Sequence, residues 1–143
     1  MPGVTTDAYG HQSPTSAGTL ATALAAGAVS TTAIGTIVPT TGAGASPTVT
    51  AVNANDMGGT FTLNPVTGGG AQAAGAVAQV FFAQPFAAVP KAVNIDMCDN
   101  AAGANGVAVT VSAQSVTTTG FTINVGAALT TAHNYNVFYS VTP

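Results

Sequence analysis

The sequence predicts an all-β protein: an antiparallel β-sandwich of about six to eight strands preceded by an extended N-terminal arm. Three observations lead there. From residue 46 onward, short runs of alternating apolar and polar residues are punctuated by Gly, Pro and Asn, the pattern of strands with one buried and one wet face. The bulky side chains are concentrated in the same region, with all six Phe between Phe61 and Phe138. The wet faces carry Thr, Asn and Gln in place of ions, since the chain of 143 residues has one basic side chain, Lys91, and four acidic ones.

The strands follow in order. Thr48 to Val52 comes after Pro47, and Thr60 to Leu63 ends at Asn64-Pro65. Gly68, Gly69 and Gly70 form a connection; no GK[ST] follows and no basic residue is near, so they are not a phosphate loop. Ala76 to Ala83 places Val80 and Phe82 on one face and Phe81 on the other. Lys91 to Met97 turns Val93, Ile95 and Met97 one way, and Asn94 and Asp96 the other. Val107 to Val111 alternates as VAVTV. Gly120 to Val125 aligns Phe121, Ile123 and Val125, and Asn134 to Val141 aligns Tyr135, Val137, Tyr139 and Val141. Seven such runs in about 100 residues suit two packed antiparallel sheets. The predicted core is Phe61, Val80, Phe82, Phe86, Val93, Ile95, Phe121, Ile123, Tyr135 and Tyr139.

Residues 1–45 hold few bulky apolar side chains and cannot offset their own ordering entropy. They read as an attachment arm and residues 46–143 as the folded domain. Within the arm, Met1 to Gly18 is turn-rich. Thr19 to Gly27 has the spacing of a short helix ending at Gly27, and Val29 to Val38 is β-branched and extended. Leu20, Leu24, Ile34 and Ile37 are the residues that would anchor such an arm, for example by adding a strand to another chain's sheet edge.

Composition excludes several functions. One Lys cannot neutralise a phosphate backbone or an anionic lipid surface, so neither nucleic acid nor membrane is an expected partner. No stretch approaches the roughly 20 apolar residues of a spanning helix. The opening MPGVTTDAYGHQ has neither the basic nor the apolar region of a signal peptide. One cysteine, Cys98, rules out an internal disulfide framework. So little charge favours association, which points to an assembly component. It also predicts weak salt and pH dependence.

In order through the chain, the segments GASPTVTAV, NDMGGTFTL, VAQVFFAQPFAAVPKAVNI, VTTTGFTINVGAAL and YNVFYSV resemble a β-sandwich module of tailed-phage virion proteins, found in head fibres, capsid decoration proteins and fibre tips. The Phe-rich strand from Phe82 to Phe86, with Pro90 and Val93 behind it, is similar to the corresponding strand and turn of the H-type lectin group. The resemblance covers about residues 43–143. It implies a virion surface location, a homo-oligomer, most simply a trimer, and the major capsid protein or other virion proteins as partners. The leading expectation is therefore a capsid decoration or head-fibre protein held by its arm. The alternative is a receptor-binding, lectin-like module for host surface glycans. For the alternative, an aromatic platform with polar neighbours is required, and Phe81, Asn94, Asp96 and Asn136 are the candidates.

No catalytic, cofactor or metal site is expected. Asp96, Cys98, Asp99, Asn100 and Asn105 form the densest cluster of ligating types, but it lacks the alternating spacing of a calcium loop and reads as a polar turn. His11 and His133 are far apart, there is no Glu, and no nucleophile-elbow pattern occurs. Acidic neighbours disfavour a reactive thiolate at Cys98.

Overall fold

A computed structural model describes residues 4–6, 12–14, 33–65, 72–101 and 106–143. Two short strands, β1 (Val4–Thr6) and β2 (Gln12–Pro14), pair antiparallel near the N-terminus. The expected helix at Thr19 to Gly27, with Leu20 and Leu24, lies outside the described residues.

Nine further strands build two antiparallel sheets. They are β3 (Thr36–Pro39), β4 (Thr48–Asn55), β5 (Gly58–Asn64), β6 (Gly75–Phe81), β7 (Ala92–Asp99), β8 (Val107–Val109), β9 (Val111–Thr117), β10 (Gly120–Val125) and β11 (Tyr135–Thr142). The four-stranded sheet runs β3-β6-β10-β9 and the five-stranded sheet β4-β5-β11-β7-β8. Their inner faces enclose one core in which Phe61, Val80, Phe82, Phe86, Phe121, Ile123, Tyr135 and Tyr139 are buried, while Val93 and Ile95 pack against it half-buried. Phe82 packs edge-on against Phe86 with ring centroids 4.7 Å apart, and Phe121 meets Tyr139 at 5.5 Å. Period-2 patterning set these faces: in β11, alternate residues from Tyr135 to Val141 are buried.

The structure departs from the sequence reading at three places. The sheet reaches upstream of residue 46, because β3 pairs with β6 from Thr36↔Phe81 to Pro39↔Ala78. Ile34 and Ile37, assigned to an arm that anchors elsewhere, pack against the core of their own sandwich, and Ala43 is fully buried. Second, the VAVTV run is not one strand. The chain leaves the five-stranded sheet after Val109 and joins the other at Val111; the Thr110 carbonyl between them accepts from Gly126 N at 3.0 Å. Third, β6 stops at Phe81. Phe82 and Phe86 enter the core from a turn rather than from a strand.

That turn is pinned from two sides. Phe82 N and Phe86 N donate to the carbonyls of Thr119 and Thr118. The carboxylate of Asp56, fully buried between β4 and β5, accepts from Ala83 N at 2.6 Å and Gln84 N at 3.0 Å. Beside it, the Tyr139 hydroxyl donates to the Asn55 carbonyl at 2.6 Å. Burial first, and then the Asp56 charge, push the Tyr139 phenol above its ordinary range.

Candidate functional site

The outer face of the five-stranded sheet carries the site. Along β11, Asn136, Phe138 and Ser140 point away from the core, out of phase with the buried tyrosines and valines. Register puts Phe138 opposite Asp96 of β7 on one side and Thr60 of β5 on the other. Asn136 lies opposite Thr62 and Cys98, and Ser140 opposite Asn94. The result is one aromatic ring, 44% exposed, framed by hydroxyls, amides and a carboxylate.

A β-bulge shapes a groove beside this ring. Thr50 pairs with Thr62 and Asn53 with Thr60, so Ala51 and Val52 together oppose Phe61. Ala51 takes a left-handed backbone, φ 49°, to make the bulge. The groove, of about 260 Å³, is lined by Ala51, Thr60, Phe61, Thr62, Asn136 and Phe138. Thr62 Oγ1 donates to Asn136 Oδ1 at 3.2 Å, which leaves the Asn136 amide hydrogens available for an acceptor. At the rim, Asn64 Nδ2 donates to Thr50 Oγ1 at 3.0 Å. Among the described residues, the side chains of Asn94 and Asp96 have no hydrogen-bond or ionic partner.

A larger cleft of about 450 Å³ opens at one end of the sandwich, between β8 and the loop Gly126–Thr130, with Asp99 and Tyr135 at its polar end. The polar groups of Asp99 and Tyr135 are already engaged within the chain. Asp99 Oδ2 accepts from His133 Nδ1 at 2.6 Å, and Oδ1 accepts from Ala101 N at 2.9 Å. The Tyr135 hydroxyl accepts from Thr130 N at 2.8 Å and hydrogen-bonds Asp99 as well. Burial raises the Asp99 carboxyl, but the bonds from His133, Ala101 and Tyr135 and the attraction of His133 together hold it below the usual carboxylate range. This cluster clasps the loop before β11 to the end of β7. It is read best as structural.

Three of the four residues the sequence nominated, Asn94, Asp96 and Asn136, meet on the one outer face. Phe81 does not: it is exposed on the outer face of the other sheet. Phe138 was missed, although its signal is in the sequence, since it is a large aromatic on the wet phase of an alternating strand. The polar cluster at the end of β7 is divided by strand alternation, with Asp96 and Cys98 outward and Asp99 inward. His11 and Asn105 lie outside the described residues. Among the described residues, no helix is long and apolar enough to cross a membrane.

Fold and surface define a two-sheet antiparallel sandwich in which, among the described residues, Phe138 is set in a polar, nearly uncharged face. The family model of the H-type lectin domain matches residues 77–141, from within β6 to within β11. That span is similar to a lectin-like sandwich and contains Asn94, Asp96, Asn136 and Phe138, but not Thr60 and Thr62. No curated protein and no solved structure matches the chain.

Proposed function

We propose that this chain is a carbohydrate-binding, lectin-like module displayed on the surface of a phage particle, with the Phe138 face as its binding surface. The observation that carries the reading is the exposed ring of Phe138 between hydroxyl, amide and carboxylate groups, within a segment similar to the H-type lectin domain. A sugar ring has an apolar face of C–H groups and a rim of hydroxyls. An exposed aromatic covers the first, and Asn136, Asn94, Asp96 and Thr60 supply donors and acceptors to the second. No reactive group is required.

The test is a panel of bacterial surface polysaccharides and defined oligosaccharides, read by isothermal titration on wild type and Phe138→Ala. Binding of one sugar class by wild type, reduced at least about tenfold in Phe138→Ala with unchanged circular dichroism, is expected. No binding to any glycan, or equal binding by the variant, sinks this reading.

Capsid decoration, the order of preference in the sequence, becomes the second reading. Its support is the other outer face, where Phe81 and Val38 are both exposed and uncharged, a surface suited to packing against the capsid protein or a second and third copy of the chain. Particles lacking the protein should then lose heat stability. Gold labelling of intact particles separates the two, with label over the head favouring decoration and label at the tail favouring receptor binding.

A further inference from the structure

Charge is so scarce in this chain that each ion's partner is informative. Of the acids in the described residues, Asp56 is buried on two backbone N–H groups and Asp99 is paired with His133. Asp96 is exposed and has no side-chain partner among the described residues. It stands directly across from Phe138 on the same face, where side chains of opposed antiparallel residues lie about 5 Å apart at Cβ. The chain's one basic residue, Lys91, is five positions along the strand from Asp96, about 17 Å away at strand spacing and beyond a screening length.

An aromatic face beside an uncompensated carboxylate is a site for a cation. The ring quadrupole attracts the charge, and the carboxylate pairs with it. Building on the carbohydrate reading, we propose that the Phe138 face selects amino sugars with a free, protonated amine. The sugar ring stacks on Phe138, its ammonium group donates to Asp96, and Asn94 and Asn136 meet the neighbouring hydroxyls. The same carboxylate repels anionic sugars, and among the described residues no side chain pairs with it.

The experiment uses the full chain and paired oligomers of glucosamine and of galactosamine, each with free amines and in fully N-acetylated form, at about pH 6, where the amine is protonated. Exposed ion pairs and cation–π contacts each contribute modestly, so the free-amine form should bind about three- to tenfold more tightly than its acetylated partner. That ratio should fall to about one in Asp96→Asn, and in about 1 M salt, where screening acts within about 3 Å. Binding of the acetylated form should weaken less than that of the free-amine form in Asp96→Asn, and both should be lost in Phe138→Ala. Acetylated oligomers binding as well as free-amine ones overturns this inference and leaves the carbohydrate reading standing. A preference that persists in Asp96→Asn, or survives Phe138→Ala, places the attraction elsewhere and also overturns it. Absence of binding to every oligomer and every neutral glycan removes both.

Discussion

Asp56 holds two loops together from the interior, and replacing it offers a quantitative test of how the sandwich is closed. Its carboxylate accepts from Ala83 N at 2.6 Å and Gln84 N at 3.0 Å, with the side chain wholly buried. Asp56→Ala removes both bonds and leaves the N–H groups of Ala83 and Gln84 without that acceptor. Hydrogen bonds to a charged group contribute about 1.5–3 kcal/mol each, so the expected loss is about 3–6 kcal/mol. Against a total of about 5–15 kcal/mol for a domain of ordinary stability, that is a large share. In urea, with a slope of about 1–3 kcal/mol/M, the midpoint should fall by about 2 M. Asp56→Asn keeps one acceptor oxygen and should fall between the two. Asp96→Asn, at an exposed position without a side-chain partner among the described residues, serves as control and should shift stability by less than about 0.5 kcal/mol. A midpoint for Asp56→Ala within about 0.5 M of wild type, with an unchanged slope, would refute the reasoning. It would mean that the Phe82–Phe86 turn is held by its bonds to Thr118 and Thr119 and by aromatic packing alone.

Further predictions are more compact. Asp99 has a folded-state pKa below its unfolded value, so its pairing stabilises the fold above about pH 4 and the contribution is lost as pH falls through the depressed value; acid titration of the urea midpoint should show this loss in wild type, and a shallower one in Asp99→Asn. Gly120 sits where a Cβ would meet the Val80 carbonyl oxygen and Phe81 Cα, both backbone atoms that cannot step aside. Gly120→Ala should therefore cost about 1–3 kcal/mol and lower Tm by about 5–10 °C, read by calorimetry. Phe138→Ala should change Tm by only a few degrees, because the ring is half in solvent, while it removes sugar binding.

The acid sensitivity expected at Asp99 is an exception to the weak pH dependence that composition suggests. Few groups titrate, but proximity decides what each is worth, and Asp99 and His133, 34 residues apart, are brought to 2.6 Å by the pairing of β11 with β7. Counting charges cannot anticipate that contact.

The sequence by itself determined the β class, the faces of β5, β7, β10 and β11, and eight of the ten expected core residues, while Val93 and Ile95 are half-buried and Ala43, Val77 and Leu129 were not foreseen. Period-2 alternation is a local property, and each strand states its own inward phase without its neighbours. It was legible wherever pairing is regular. It failed in β9, where Ser115 and Val116 together oppose Phe121 and Ser115 takes φ 50°. Such a bulge shifts the inward phase by one residue, from Val111 and Ala113 to Val116, and the alternation disappears. β3 reads as extended but as part of an arm, because residues 1–45 hold few bulky apolar side chains, and only its long-range pairing with β6 places it in the sheet. The tertiary structure alone decided which wet faces coincide. Asn94, Asp96 and Asn136 are brought to one surface, and Phe81 is sent to the other sheet, because side-chain phase says whether a residue points out but not on which sheet. Only strand order, a long-range property of the whole chain, places Phe138 across from a carboxylate that has no partner among the described residues.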